Sequence, residues 1–327
     1  MKIREKIIIG LLIVAVVGGA IGFLVWDFQR QGSHNISSYS SAEDSTQYAK
    51  ITSDGVDYTF NTRLDTLLYI GVDASGDLAD GAVGQADTII LFVMNKDTKA
   101  MTAINFSRDT MTTVQSYSEN GNLMGTLTQH LGYAYTFGNG GKNSCENVVW
   151  SVSNLMNGIP IEEYCATDVS SIEQINSMVG GVTVTVPNDD LADQFEEMYT
   201  GNTVKLTDEN VEKFVRYRDI SVDFSNNGRR ERQKAYLEAY MPMLKSALAN
   251  DLDGMWNRFT EIEADTITSV SRSEYISMAN TFGTMDVSQI EFYTPTGEDQ
   301  KGENHDEFYM DEDAFFEKIL EIFYIKD

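Results

Sequence analysis

Five arginines, Arg216, Arg218, Arg229, Arg230 and Arg232, fall within seventeen positions of a chain that carries 24 Lys+Arg against 50 Asp+Glu. The stretch 213–234, KFVRYRDISVDFSNNGRRERQK, holds seven basic and three acidic residues in a protein of formal net charge −26. Guanidinium groups keep their charge and grip phosphate oxygens two at a time, so a convergent set suits a pyrophosphate. A solvated basic helix paired with local acids would have the same composition, but the acidic background favours an anion site. Three further constellations lie at the ends of apolar runs. TLLYIGVD finishes in Gly71 and Asp73, and a carboxylate beyond the carboxyl end of a strand is well placed for a ligand. GQADT sets Asp87 and Thr88 at the entrance to IILFVM, and the intervening loop, rich in Gly, Asp and Ala, has the length to return Asp87 beside Asp73. Two hard carboxylates with open positions suit Mg2+ or Mn2+ shared with substrate phosphates, although two turn aspartates would read the same. AINFSRDT ends in Arg108 and Asp109, where one side chain orients the other for a phosphate or the two form a plain strand-end salt bridge.

Composition excludes several classes. The charge argues against non-specific nucleic-acid binding and against a polybasic membrane-surface binder. With 42% hydrophobic and 11% aromatic residues the chain is a folded protein rather than an acidic tail. Two cysteines, Cys145 and Cys165, and three histidines, His34, His130 and His305, are too few for a zinc framework. No G-x-S-x-G elbow occurs, and Gly138–Lys142 lacks the first Gly and final Ser/Thr of a P-loop. An EF-hand fails because the twelfth position from Asp73 is Gly84.

The elements that must position these residues begin with IIIGLLIVAVVGGAIGFLVW, residues 7–26, which carry no charge. As a helix rising ~1.5 Å per residue this run would match a hydrocarbon core about 30 Å thick. Lys2, Arg4 and Lys6 precede it, which predicts a cytoplasmic stub over 1–6 and an extracytoplasmic remainder. Gly18, Gly19 and Ala20 resemble a cleavage site, but the run continues to Trp26, so an uncleaved signal anchor is expected. Residues 27–54 are polar and Ser-rich and read as a linker. Outside the membrane, Cys145 and Cys165 form either a disulfide or two buried thiols. From 55 to 327, Val56–Phe60 alternates like an edge strand, and core strands are expected at Thr66–Val72, Thr88–Met94 and Met101–Phe106. Helical periodicity follows at Asn147–Met156, Ile172–Val179, Asp208–Tyr217, Arg230–Ala249 and Asp313–Tyr324, with strands at Tyr164–Ala166, Val182–Val186 and Gln289–Tyr293. Interleaved strands and helices without a second linker predict one layered α/β domain.

Taken together, LLYIGVD, QADTIILFVMN, INFSRDT and FVRYRD followed by NGRRERQ resemble the LytR-CpsA-Psr family in order and spacing. The segment from Leu131 to Pro187 and the tail EFYTPTGEDQ…EFYMDEDAF are similar to that family as well, so the likeness runs from about residue 55 to the end. It implies a single three-layer α/β/α extracytoplasmic domain behind one N-terminal transmembrane helix in the cell membrane of a Gram-positive type bacterium. The implied activity is that of a phosphotransferase, with pyrophosphatase activity on the side. It moves an anionic glycopolymer, of teichoic acid or capsule type, from a polyprenyl pyrophosphate carrier to peptidoglycan. By the same resemblance Asp73 and Asp87 bind Mg2+, or Mn2+, while Arg108, Arg216, Arg218, Arg229 and Arg232 with Gln233 clamp the pyrophosphate. Asp109 would orient Arg108 or join the metal's outer shell, and Arg108, Asp109, Arg216 and Arg218 form the catalytic group. The family usually has Arg two residues before the second Asp, where this chain has Gln85, and Ser107 replaces a common Pro. A non-catalytic scaffold or sensor that binds polyprenyl phosphate is the alternative. Either role requires an apolar groove for the lipid tail and no nucleic acid.

Overall fold

The computed structural model describes residues 49–327 apart from 75, 218, 220–225, 261–265 and 304. A hairpin, β1 (Lys50–Ser53) and β2 (Val56–Phe60), comes first. The apolar runs then give an antiparallel meander of β3 (Leu64–Ala74), β4 (Gly84–Asn95) and β5 (Met101–Phe106). A second hairpin, β6 (Met111–Tyr117) and β7 (Leu123–His130), leads into α1 (Tyr133–Phe137) and α2 (Gly141–Leu155), which return the chain to β8 (Glu163–Asp168), parallel to β3. Next follow α3 (Ile172–Met178), the paired β9 (Thr183–Thr185) and β10 (Thr203–Lys205), α4 (Val211–Arg216) and the long α5 (Asn226–Asn250). The chain continues through α6 (Leu252–Thr260), β11 (Thr266–Thr268), α7 (Arg272–Thr284) and β12 (Glu291–Tyr293). It ends with a third hairpin, β13 (Gly297–Lys301) and β14 (Asp306–Met310), then α8 (Glu312–Phe323) and β15 (Tyr324–Lys326).

Six strands form one mixed sheet in the order β11-β8-β3-β4-β5-β12. Alternating residues of its central strands supply two cores, as a strand's two-residue side-chain period requires. Leu67, Tyr69, Ile90 and Phe92 pack under α3 to α7, with the Tyr236 and Tyr240 rings of α5 stacked 5.7 Å apart. Leu68, Ile70, Ile89 and Leu91 pack under α1, α2 and α8. The fold is therefore a mixed α/β sheet with helices on both faces. Burial on both sides is why these strands read as unbroken apolar runs rather than as alternating ones. Each fully buried Leu or Ile contributes roughly 1.5–3 kcal/mol of transfer free energy.

Several expectations change. Val56–Phe60 is not an edge strand: β2 lies between β1 and β15 in a three-stranded sheet. Lys50–Ser53, inside the stretch read as linker, is the strand β1, whose polar alternation hid it. The helix expected over 208–217 is shorter, Val211–Arg216, because the Asn210 side chain turns back to the Thr207 N–H. Cys145 and Cys165 are free and buried, one in each core, so they are thiols and not a disulfide. Burial pushes both thiols up, Cys165 to about 12. The charge-free run 7–26 and most of the linker lie outside the described residues. Among the described residues no helix is long and apolar enough to cross a membrane.

One consequence of the topology positions the site. β5 and β8 run parallel to β3, and β12 runs parallel to β5, so four carboxyl ends meet at one rim where β4 begins. Ligands of such sheets bind beyond these ends.

Candidate phosphate-binding site

At that rim β3 and β4 slip register. Gly71 faces Thr88 and Val72 faces Ala86, so Asp87 is the extra residue of a β-bulge, and Gln85 comes to stand opposite Asp73. A bulge bends its strand and re-aims side chains. Here it leaves two carboxylates at neighbouring strand ends, Asp73 at 6% and Asp87 at 4% exposure. Gly84 permits the strands to close this tightly, since a Cβ there would meet the Asp73 carbonyl oxygen at 2.3 Å.

Arg108 leaves the end of β5 and pairs its guanidinium with Asp87, while its Nε lies 3.4 Å from Asp109 Oδ1. Burial pulls the Arg108 pKa down, but the Asp87 and Asp109 carboxylates outweigh it and the net shift is upward. The result is a permanent cation braced by two acids, with its backbone fixed as well. The Arg108 carbonyl accepts from Gly132 N–H at 2.9 Å, and the Gly132 carbonyl accepts from Ala86 N–H at 2.9 Å. Only glycine fits there: a Cβ on residue 132 would lie 2.7 Å from the Ala86 oxygen.

The arginine island arrives on α4 and α5. Arg216, the last residue of α4, pairs with Glu212 one turn back, after which Tyr217 turns extended. Arg229 is 3% exposed at the start of α5. Arg218 lies outside the described residues. Arg232, read from the sequence as part of a phosphate clamp, has a different task. It is wholly buried, with Nε donating to Phe214 O at 2.8 Å, Nη1 to Asn188 Oδ1 at 2.8 Å and to Asp190, and Nη2 to Tyr217 O. Gln233 is buried beside it and donates from Nε2 to Val215 O at 3.1 Å. These side chains satisfy the carbonyls that a helix leaves open at its C-terminus, so they face α4 and fix the exit of the Arg216–Tyr217 segment.

Arg230 and Lys234, one turn apart on α5, stand at a groove of about 430 Å3 between the helix and the sheet. Its other walls include Ile90, Ala103, Leu237 and Phe292. The groove thus has an apolar floor and an edge of Arg230, Glu231 and Lys234, at the level of the Ile90–Asn105 pair, three residues along the chain from Asp87 and from Arg108.

Among the described residues no group of three or more His, Cys, Asp or Glu side chains is arranged to hold a metal by itself. Asp73 and Asp87 nonetheless fit Mg2+ in their chemistry. Two buried carboxylates supply hard oxygens, and this ion usually takes one or two carboxylates and completes its shell with water and phosphate. A third carboxylate at the rim does not join them. Asp168 accepts from Ser170 N–H at 2.8 Å and Ala74 N–H at 3.3 Å, one on each oxygen, and so holds a turn.

Residues 31–321 match the profile of the LytR_cpsA_psr family. The chain belongs to that family. It is similar to the polyisoprenyl-teichoic acid–peptidoglycan teichoic acid transferase TagU of Bacillus cereus, 25% identical over 66% of this chain and 64% of the relative. The corresponding TagV of Bacillus subtilis is 25% identical over 76% of this chain and 61% of the relative. The chain therefore spans less than two thirds of the length of these curated relatives. Among solved structures, protein gbs0355 from Streptococcus agalactiae superposes with a TM-score of 0.63 at 20% identity, covering 80% of this chain and 88% of that one. This last likeness concerns the fold.

Within this LytR_cpsA_psr domain, sequence reasoning missed residues whose partners lie far away in the chain. Asn188 and Asp190 are acceptors for Arg232, and nothing in the loop that carries them announces it. Tyr133 lies close enough to the Arg108 guanidinium to act on its charge. The one signal for Tyr133 was its place in the LGYAY stretch that resembles the family.

Proposed function

We propose that this protein is a membrane-anchored phosphotransferase that moves an anionic glycopolymer, of teichoic acid or capsule type, from a polyprenyl pyrophosphate carrier to peptidoglycan. The observation that carries this reading is the Asp87–Arg108–Asp109 ion-pair network at the bulged strand ends, with Asp87 buried and the other two partly buried, near a groove with apolar walls and Arg230 and Lys234 at its edge. Membership of the family and the activities named for the Bacillus relatives support it. The run 7–26 would hold the N-terminus in the cytoplasm and this domain outside.

The mechanism follows from phosphoryl-transfer physics, in which positioning and charge stabilisation do most of the catalysis. The acceptor sugar hydroxyl attacks the phosphorus nearer the glycopolymer, and polyprenyl phosphate leaves. Arg108, held by two carboxylates, presents a preorganised cation to oxygens that gain charge in the transition state. Arg216, Arg218 and Arg229 would complete the clamp, with Arg232 and Gln233 keeping the α4 exit in place. Asp73 and Asp87 would hold Mg2+, or Mn2+, which when bound would neutralise part of the pyrophosphate charge. The first isoprene units would lie along Ile90, Ala103, Leu237 and Phe292, with Arg230 and Lys234 near the headgroup. Water in place of the sugar would give the pyrophosphatase side reaction. Gln85 leaves the position opposite Asp73 without a positive charge, which would tune phosphate affinity.

A transfer assay with the full chain, a lipid-linked donor and Mg2+ tests this. Arg108→Ala and Asp87→Asn are each expected to reduce product at least about 100-fold, and chelation of Mg2+ to do the same. Full activity in both variants would remove the assignment. Tight binding of polyprenyl phosphate by a wild type that forms no Mg2+-dependent product would favour the scaffold or sensor role instead.

A further inference from the structure

Two of the chain's three histidines, 175 positions apart, meet beside the site. The His130 and His305 ring centroids are 6.1 Å apart, and Tyr133 lies 5.7 Å from the first and 6.4 Å from the second. The segments bearing them grip three consecutive residues at the end of β5. Gly132 N–H donates to Arg108 O, Leu131 N–H to Thr110 O at 2.8 Å, and Phe308 N–H to Asp109 O at 2.8 Å. The cluster is therefore tied through the backbone to the residue that pairs with Asp87, and Tyr133 lies near enough to act on the Arg108 charge.

Its members differ in availability. His130 is 7% exposed and both its ring nitrogens are engaged, Nδ1 with Gln129 Oε1 at 2.8 Å and Nε2 with Asp306 O at 3.1 Å. The Gln129 oxygen also accepts from the His130 backbone N–H, which fixes it as an acceptor. His130 is thus a buttress that ties the β13–β14 hairpin to β7. His305, in the turn of that hairpin, is exposed. Asp87 and Asp109 are both committed to ion pairs with Arg108, so neither takes a proton without giving one up. An imidazole ring nitrogen can accept a proton from a hydroxyl, which is what a general base requires.

We propose that the His305–Tyr133 wall is the acceptor-sugar subsite and that His305 takes the proton from the attacking hydroxyl. This rests on the transferase reading above. The apolar face of a hexose ring packs on the two aromatic faces. Its hydroxyl oxygen then forms the new P–O bond as the proton passes to the His305 ring, and the P–O bond to polyprenyl phosphate breaks with the electron pair leaving on that phosphate. The charged and titratable groups around His305 are His130 from β7, Tyr133 from α1 with Arg108 beyond it, and Lys301, Glu303, Asp306 and Glu307 of its own hairpin.

The test uses the full chain in detergent micelles, a polyprenyl-pyrophosphoryl disaccharide as donor and an N-acetylhexosamine oligosaccharide as acceptor. His305→Gln is expected to lower kcat about 100-fold and to remove the acid limb of the pH–kcat profile, with the donor KM unchanged. Tyr133→Leu is expected to raise the acceptor KM several-fold and Tyr133→Phe to restore it. A wild type that turns over alongside a His305→Gln variant of equal kcat and unaltered acid limb would overturn this inference and leave the transferase reading standing. A wild type that forms no product would overturn both.

Discussion

Carboxylates at the strand ends of this molecule are put to three uses, and their surroundings decide which. Asp87 is pressed against a guanidinium, and Asp168 is committed to two backbone N–H groups. At the opposite end of the sheet, burial pushes the Glu163 carboxyl up to about 8, with Glu274 adding to the rise and the Ser269 hydroxyl, 2.6 Å away, opposing it. The sign of the stability effect follows directly. Between the ordinary carboxyl value of 4.5 and about 8, native Glu163 keeps a proton that the unfolded chain has lost, so stability falls as pH rises through that window and levels off above it. One pKa unit corresponds to about 1.4 kcal/mol, which bounds the effect at a few kcal/mol. Thermal melts at pH 5, 6.5 and 8 should show a decline in the wild type that is much flatter in Glu163→Gln. Parallel declines in the two proteins would assign the proton to another group.

At the scale of elements, α4 and α5 work as a pair, since one carries candidate phosphate ligands and the other holds its end. Replacing Arg232 by Met removes the donors to Phe214 and Tyr217 and leaves Asp190 without its cation. Asp190 is exposed, so the main cost is the buried carbonyls left without a donor, roughly 1–3 kcal/mol. Arg232→Met is therefore expected to melt earlier, to exchange the amides of Val211–Tyr217 faster and to lose transfer activity. Arg232→Lys should recover little, because a single ammonium cannot reach acceptors that a planar fork spans. Unchanged amide exchange over that helix would refute the positioning role. The residue's type was legible in the sequence, as one more arginine in an island. Its acceptors were not, because Asn188 and Asp190 become its partners only after the intervening loop and helix have folded back.

At the scale of the whole molecule, the formal charge of −26 would oppose approach of the proposed polyanionic donor while the arginine island would attract its headgroup. The two fields differ in range. The Debye length shrinks from about 30 Å at 0.01 M to about 8 Å at 0.15 M salt, so the long-range repulsion is screened first. With the protein in neutral-lipid vesicles, kcat/KM for the donor should rise across that interval and then flatten. A steady fall from the lowest salt would mean that the basic patch, not the acidic surface, governs encounter.

Local chemistry made several features readable from the chain alone. Apolar, β-branched runs specified β3, β4 and β5 because both their faces are buried, and the Asp and Arg residues closing those runs marked the rim. The charge island and the ordered motifs gave the family and, with it, the candidate phosphate chemistry. Tertiary structure alone decided the rest. The register slip that singles out Asp87 and sets Gln85 against Asp73 is a property of two strands together. The hairpins β6–β7 and β13–β14 had too weak an apolar pattern to be seen, and their docking is what brings His130, Tyr133 and His305 together. Residue type fixes which donors and acceptors a chain possesses. Sheet order and burial fix which of them meet, and those depend on contacts between residues that periodicity, a local property, does not encode.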